Sequence, residues 1–284
     1  MAMTPETSKP RDFWERLQAI DRRILYVLLL IVIILPLFKP IRLPMVIMPS
    51  TQKLYQAIES VPPGGFAIVS ATWSGGTRAE NMPQTEAILR HLMKRRLRVA
   101  VFSFDQQGSQ FSYNIASRLA KEYGYEYGKD WVHWGYRPIV GVVLKSLVRD
   151  IPSTFATDRD GKPTKDMPVM KGIKDIKNVD VIVEIAASGI YMDWIGLVVG
   201  ANPNLKFGFC PTAVMAPETY PYMDSGQIVG IMEGMRGAAE YEKLVNTTGL
   251  ATKGMGSISL AHVLIMVLIV IGNLGYLATR ARGG

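Results

Sequence analysis

The feature that most constrains this chain is a long apolar run near its C-terminal end. Residues 258–278 read ISLAHVLIMVLIVIGNLGYLA, and arginines follow at positions 280 and 282. A helix needs about 20 apolar residues to cross the hydrocarbon core of a bilayer, and buried core helices are usually shorter. We therefore predict a transmembrane helix over residues 256–279, followed by a short C-terminal tail, 280–284.

A second apolar run, ILYVLLLIVIILPLF, occupies residues 24–38 between Arg23 and Lys39. Its 15 residues can span a bilayer only if the flanking basic side chains reach back to the membrane surface or the bilayer becomes thinner around the helix. A buried core helix is one alternative. A cleavable signal peptide is another, but the preceding tail carries four acidic residues and no small-residue cleavage site follows. We predict an N-terminal tail, 1–23, and a first transmembrane helix, 24–42.

Two spans place both chain ends on the same side of the membrane. The tails hold seven Lys and Arg residues, and the loop side close to the spans holds five. Because basic residues favour the cytoplasmic side, we predict cytoplasmic termini and an extracytoplasmic central domain, 43–255, in a bacterial inner membrane. The sole cysteine, Cys210, provides no disulfide framework and leaves the redox compartment open.

The central domain alternates strand-like and helix-like segments. Residues 66–73, 97–104, 179–187 and 205–210 are apolar strand candidates, and DWVHWG is a further short one. Amphipathic segments such as ENMPQTEAILRHLMKRR separate them. Continuous β-branched runs alternating with helices indicate a parallel sheet covered on both faces. We predict an α/β fold with a Rossmann-like, doubly wound, mostly parallel sheet of about five strands, flanked by the two transmembrane helices.

The net charge of +8 does not indicate a nucleic-acid partner. The central domain carries 23 basic and 20 acidic residues, and the rest of the surplus lies in the tails and beside the spans. The cluster KRRLR, residues 94–98, follows a predicted helix, where cations are favourable. No basic stripe alternates with aromatic residues. The predicted partners are the lipid bilayer and either further copies of the chain or other membrane proteins.

In doubly wound sheets, ligands bind beyond the carboxyl ends of the strands, and several predicted strands end in small and polar residues. These are Ser74, Gly75, Gly76 and Thr77 after the first strand, Asp105 after the second, and Glu184 and Ser188 at the fourth. They could bind an anionic small molecule, with Asp105 or Glu184 as acid or base and the amides around Gly75 as the anion cradle. The alternative is that these residues only form turns and helix caps.

The sequence motifs that mark common catalytic and cofactor sites are missing. There is no G-x-G-x-x-G after a strand, no P-loop and no G-x-S-x-G nucleophile elbow. His91, His133 and His262 have no cysteine or carboxylate at metal-ligand spacing. We therefore predict no catalytic residue, no cofactor and no metal site.

The segment SGQIVGIMEGMRGAAEYEKL, residues 225–244, combines helical amphipathicity with several glycines. On a helix one side would carry Gly226, Gly230, Gly234, Gly237 and Ala238. Such a small-residue face lets two helix backbones approach closely. We predict a helix whose glycine face packs on another helix, either at a subunit interface or within the domain. A loop at Gly226 and Gly230, with the helix starting near Ile231, is the third alternative. In the helical interpretation, Gly230→Leu destabilises the protein and Gly230→Ala is tolerated.

The segments SGQIVG and GAAEYEKL, with AHVLIMVLIVIGN soon after, resemble an uncharacterised family of bacterial proteins that have two membrane spans around an α/β domain. The resemblance covers most of the chain and implies the same layout, but it implies no activity. Two function classes follow. The first is a non-catalytic, membrane-anchored subunit that assembles into a homo- or hetero-oligomeric membrane complex. The second is a membrane-anchored enzyme or binding domain for an anionic small molecule at the carboxyl ends of the strands.

Overall fold

The computed structural model describes Phe13 and residues 20–39 and 44–280. Most of the predicted N-terminal tail, the last residues of the predicted first span and residues 281–284 lie outside the described residues. The chain divides into two compact units. One is the central domain, Pro44–Thr252, and the other combines Met1–Leu43 with Lys253–Gly284.

Six strands form one sheet in the central domain. They are β1 (Phe66–Thr72), β2 (Arg98–Ser103), β3 (Trp131–Tyr136), β4 (Val181–Ala186), β5 (Lys206–Pro211) and β6 (Gly230–Ile231). Their order is β3-β2-β1-β4-β5-β6, and every neighbouring pair is parallel. This is the order of a Rossmann-like doubly wound sheet. The predicted α/β class with a Rossmann-like parallel sheet is confirmed, with six strands in place of about five.

The described residues include the following α-helices. They are α1 (Arg22–Phe38), α2 (Pro49–Glu59), α3 (Arg78–Lys94), α4 (Gln106–Tyr123), α5 (Val140–Arg149), α6 (Ile151–Thr154), α7 (Tyr191–Leu197), α8 (Ala216–Asp224), α9 (Gly234–Leu244) and α10 (Leu250–Arg280). Because side chains alternate along a strand, Phe66 and Ile68 face the core formed with α5 to α8. Ala67 and Val69 face the opposite side, which α2, α3, α4 and α9 cover.

The prediction of a continuous helix through the glycine-rich segment is wrong. Gly226 lies in a turn with φ of +79°, and Gly230 belongs to β6. Helix α9 begins only at Gly234. The residues around Gly230 add to the sheet, because Val229 N donates to Phe207 O at 2.8 Å and Met232 N donates to Phe209 O at 3.0 Å. Strand pairing therefore satisfies this backbone, and the spacing of the glycines by four does not reflect one helix face.

Close packing still explains three of these glycines, but it occurs inside the domain. A Cβ at Gly230 would lie 2.6 Å from Leu54 Cα in α2 and closer still to its backbone nitrogen. At Gly237 it would lie 2.8 Å from Met232 C, and at Gly234 2.5 Å from Glu80 Oε2. The expectation that Gly230→Ala is tolerated is therefore corrected: the strand lies against the α2 backbone, and even a methyl group overlaps it.

The other unit contains α1 and most of α10. Helix α10 has 31 residues and is the one helix in the described part of the chain that is both long and apolar enough to cross a membrane. It contains the whole of the predicted second span. Helix α1 has 17 residues and includes Pro36. Within this unit, Ser257 Oγ of α10 donates to Ile33 O of α1 at 2.8 Å.

Within the central domain, a buried carboxylate holds the first turn of α10. Glu242 of α9 is 3% exposed. Its oxygens accept from the amides of Gly249 (3.0 Å), Ala251 (2.9 Å) and Thr252 (2.9 Å), and from the Thr252 hydroxyl at 2.6 Å. The first amides of a helix have no partner within the helix, so Glu242 caps α10 with a side chain from the preceding helix.

Candidate functional site

The strand order places the candidate site at one edge of the sheet. The order reverses between β1 and β4, and in doubly wound sheets the crevice beyond this switch point is the usual ligand site. The segments that follow β1, β2 and β4 contain the residues predicted from the sequence. Their hydrogen bonds determine which of them are free to contact a ligand.

The loop after β1 is tied to the loop after β2. Ser74 precedes a 3₁₀ turn, Gly75–Thr77, that leads directly into α3. Gly75 N donates to Gln107 Oε1 at 2.8 Å, and the Thr77 hydroxyl donates to Ser74 O at 3.4 Å. The amide predicted to cradle an anion therefore already has an acceptor from α4. Gly76 is exposed at the tip of the turn.

Asp105 acts as the N-cap of α4. Its Oδ1 accepts from Gly108 N at 2.8 Å. A Cβ at Gly108 would lie 2.7 Å from Trp73 O and 2.8 Å from Ser103 Oγ, so only glycine lets the first turn of α4 approach the end of β1. Capping by aspartate stabilises a helix by about 1 kcal/mol. This contact matches the turn-and-cap alternative for Asp105.

Glu184 lies inside the sheet, two residues before β4 ends. It is fully buried and opposite Ser70 of β1, and its Oε2 accepts from Trp194 Nε1 at 2.6 Å. Burial raises the pKa of Glu184 to about 8, although hydrogen bonds from Ser70, Thr72 and Trp194 act in the opposite direction. Its Oε1 has no hydrogen-bond partner among the described residues. Ser188, by contrast, is exposed beyond the strand end.

The predicted residues are thus brought together only in part. The contact between Gly75 and Gln107 joins the β1 and β2 loops, and Asp105 lies at the start of the same helix as Gln107. Glu184 belongs to the buried layer between the sheet and Trp194 of α7. Asp105 Oδ1 caps a helix and Glu184 Oε2 accepts from Trp194, whereas Glu184 Oε1 is buried without a partner among the described residues.

Sequence reasoning missed a buried polar cluster on α3 at the end of β5. Gln84 Nε2 donates to Pro211 O at 2.8 Å and to Met232 O at 2.7 Å, and it joins these two chain segments. Asn81 Nδ2 donates to Gln84 Oε1 at 2.8 Å, and Glu80 Oε2 accepts from Ala213 N at 2.8 Å. The sequence pattern that could have revealed this cluster is the set of polar residues at helical spacing on the face of α3 that packs against the sheet.

His133 and Ser112 form a buried pair that resembles a catalytic base and its nucleophile. The histidine, however, carries its proton on the nitrogen that faces the serine. His133 Nδ1 accepts from Gly135 N at 3.0 Å, so Nε2 carries the proton and donates to Ser112 Oγ at 3.1 Å. An imidazole in this tautomer cannot take a proton from the serine. Burial, and then the charges of Arg159 and Arg137, lower the pKa of His133 to about 3.

The side chain of His91 also has a structural role. Its Nε2 contacts Glu59 Oε1 at 3.0 Å, its Nδ1 contacts the Tyr241 hydroxyl at 2.7 Å, and its ring stacks on Tyr55. Both nitrogens are therefore occupied in a contact that joins α2, α3 and α9. In the described residues, no group of three or more His, Cys, Asp or Glu side chains could hold a metal ion.

No family model and no curated protein match this chain. Among solved structures, the chain is similar to a protein described as trehalose-6-phosphate synthase, OtsA, at 11% sequence identity and a TM-score of 0.33. The likeness covers 83% of this chain and 46% of that one, so the chain spans less than half of that protein's length. A likeness this distant carries no inference about activity, and the fold assignment rests on the strand order itself.

Proposed function

We propose that this chain is a non-catalytic, membrane-anchored α/β subunit that assembles with itself or with other membrane proteins. The observation that carries the proposal is the apolar surface exposed by α10. Large apolar side chains along it are about half exposed, among them Val263, Ile265, Met266, Ile269, Val270 and Leu277. A continuous exposed apolar surface of this kind marks contact with lipid or with another protein.

Helix α1 is proposed as the second span. Its 17 residues extend about 25 Å, slightly less than the hydrocarbon thickness of about 30 Å, which a bilayer accommodates by local thinning. The hydrogen bond from Ser257 to Ile33 supports this pairing, because serine side chains commonly join helices inside membranes. Pro36 lies one turn after Ile33, where its ring disturbs the preceding helical carbonyls.

A shallow apolar groove on α1 supports assembly. It is lined by Leu30, Ile31, Ile34, Leu35 and Phe38, with Lys39 at its end. Leu35 is 56% exposed and Phe38 is 85% exposed. In a membrane such a groove accepts either lipid chains or the ridge of another helix, and helix packing depends on this kind of shape match. We assign it to a helix from a neighbouring subunit.

The non-catalytic part of the proposal rests on the hydrogen bonds at the carboxyl edge. Asp105 caps α4, the Gly75 amide is bound by Gln107, and His133 is held in a tautomer that cannot act as a base towards Ser112. A catalytic acid or base needs a free position within hydrogen-bond reach of a substrate. Each of these three groups already has a hydrogen bond within the fold, and Glu184 is fully buried.

The proposed topology has both termini in the cytoplasm and the central domain outside a bacterial inner membrane, following the distribution of basic residues. Cysteine labelling in intact cells tests it. Cys210 is buried, so it gives a low background. Ser153→Cys, at an exposed position, should react with an impermeant maleimide, whereas Ala281→Cys should be protected. Protection of Ser153→Cys together with labelling of Ala281→Cys would show the inverted topology.

Assembly is tested by the molar mass of the purified chain in detergent, measured by light scattering. We expect a mass above that of one chain. Leu35→Trp fills the groove on α1 and should lower this mass, whereas Val214→Trp, at an 89% exposed position in the central domain, is the control. A one-chain mass in detergent, combined with one-chain products after cross-linking in native membranes, would refute the proposal.

A further inference from the structure

Two arginines are held at the carboxyl end of β3, the strand next to β2 in the sheet. Arg137 directly follows β3, and its backbone N–H donates to Ser103 O at 2.9 Å. Arg159 comes from a later loop, and its backbone N–H donates to His133 O at 2.9 Å. Gly135, with φ of +81°, lies under this loop, and a Cβ there would lie 3.3 Å from Arg159 Cα. The backbone therefore fixes both arginines beside one strand end.

Aromatic rings and neutral acceptors orient the two guanidinium groups. The Arg137 guanidinium lies over Phe155, 5.6 Å from the ring centre, and its Nη2 donates to Thr157 O at 2.7 Å. The Arg159 guanidinium lies over Tyr113 at 3.6 Å, and its Nη2 donates to Gln110 Oε1 at 3.2 Å. Stacked, hydrogen-bonded arginines lose little freedom when they bind a ligand.

Several hydrogen bonds to one buried carboxylate hold the turn that carries Arg159. Asp158 is 3% exposed, and its carboxylate accepts from the Tyr127 hydroxyl at 2.9 Å, Asp160 N at 2.9 Å and Lys162 N at 2.8 Å. A buried carboxylate with this many donors holds a turn in one conformation. Arg159 is therefore presented by a fixed segment, and its ion pair is with Asp160 rather than with Asp158.

Few carboxylates neutralise the positive charge of Arg137 and Arg159. Arg137 Nε and Arg159 Nη1 are buried, and no described residue accepts a hydrogen bond from them. Among the described residues, the carboxylate that pairs with Arg159 is Asp160, with Nε and Oδ1 3.5 Å apart, and it is half exposed. Arg137 forms no ion pair with a described carboxylate, and burial lowers its pKa. Unpaired buried donors on a cation are costly, which favours an anionic partner.

We propose that Arg137 and Arg159 bind a phosphate group, carried either by a small soluble molecule or by a lipid headgroup. A tetrahedral oxyanion can accept from two guanidinium groups that approach from different directions, and arginine is well suited to such contacts. Beside the pair, Tyr136 and Ile139 are 38% and 70% exposed, so the phosphate can carry an apolar portion. Ile139 has φ of +60°, a strained conformation for a β-branched residue of the kind found at binding sites.

The test is isothermal titration of the full-length chain in detergent at constant ionic strength. One arm uses inorganic phosphate, and the other uses short-chain phosphatidylglycerol below its micelle-forming concentration. We expect saturable binding to one site in at least one arm. Arg159→Gln and Arg137→Gln should each weaken it by about ten- to a hundredfold, the effect of losing a hydrogen bond to a charged group. The stronger arm identifies whether the phosphate is soluble or lipid-borne.

Arg149→Gln is the matched control, because Arg149 lies exposed in the last turn of α5, and its binding should equal that of the wild type. Circular dichroism confirms that each variant is folded. If Arg137→Gln fails to fold, Arg159→Gln decides alone, since within the described residues the Arg159 guanidinium contacts only Asp160 of the surface turn and Tyr113 and Gln110 of α4. The absence of saturable binding in both arms, or unchanged binding in folded Arg159→Gln, would overturn the proposal.

Discussion

Replacing Gly230 by alanine should destabilise the central domain, although the substitution adds one methyl group. The new Cβ would lie 2.6 Å from Leu54 Cα and 2.8 Å from Leu54 Cβ, whereas carbon atoms in contact prefer about 3.5–4.0 Å. Either α2 or β6 must therefore move by about 1 Å. Overpacking of this kind costs about 1–3 kcal/mol, and we expect the upper part of that range because the overlap involves backbone atoms. For a domain of this size, about 3 kcal/mol lowers the melting temperature by about 6–12 °C.

The assay is thermal unfolding of the full-length chain in detergent, followed by tryptophan fluorescence. The central domain contains four of the five tryptophans, Trp73, Trp131, Trp134 and Trp194, so the signal reports mainly on this domain. Gly196→Ala is the matched control, because a Cβ at that position in α7 meets no atom within 4 Å. Alanine there should be neutral or stabilising by up to about 1 kcal/mol. Equal melting temperatures for Gly230→Ala and the wild type would refute the packing of β6 on α2.

Three further predictions concern buried charged and titratable groups. Glu242→Gln should weaken the cap of α10 by about 1–3 kcal/mol. Amide hydrogen exchange should therefore accelerate at Ala251 and Thr252. Unchanged protection of these amides would contradict the cap. Glu184 has a folded pKa of about 8 against an ordinary value of 4.5, so wild-type stability should fall by about 1.4 kcal/mol per unit as pH rises through this window. Glu184→Gln should abolish that part of the slope, and parallel curves would contradict it. His133 has a folded pKa of about 3 against 6.5, so stability should fall as pH drops below 6.5, and an unchanged acid slope in His133→Gln would contradict this.

Much of the fold could be predicted because the strands are buried on both faces. Such strands appear in the sequence as continuous apolar runs, and FAIVSAT and VIVEIA are clear examples. Strand β6 could not be found this way, because it has only two residues and begins at a glycine. The short apolar segment around it fits a helix or a strand equally well by periodicity. Pairing with β5, a contact distant in sequence, decides between them.

Of the candidate site, too, only part could be predicted from the sequence. Asp105 and the Gly75 loop were located correctly at strand ends, because the end of a strand is a local property of the sequence. Whether Asp105 is free or caps a helix depends on the position of the Gly108 amide, which the pattern leaves open. The placement of Arg159 beside β3 was missed for another reason. A loop about twenty residues after the strand returns to it through a backbone hydrogen bond to His133.

Photo-cross-linking in native membranes tests the central claim, assembly through the membrane helices, most directly. A photoreactive amino acid replaces Ile31 in the groove of α1, and a second variant carries it at Lys171, which is exposed in the central domain. We expect a discrete product larger than one chain from the Ile31 position, and much less of it from Lys171. A one-chain band alone from the Ile31 position, with the protein correctly inserted in the membrane, would contradict the account.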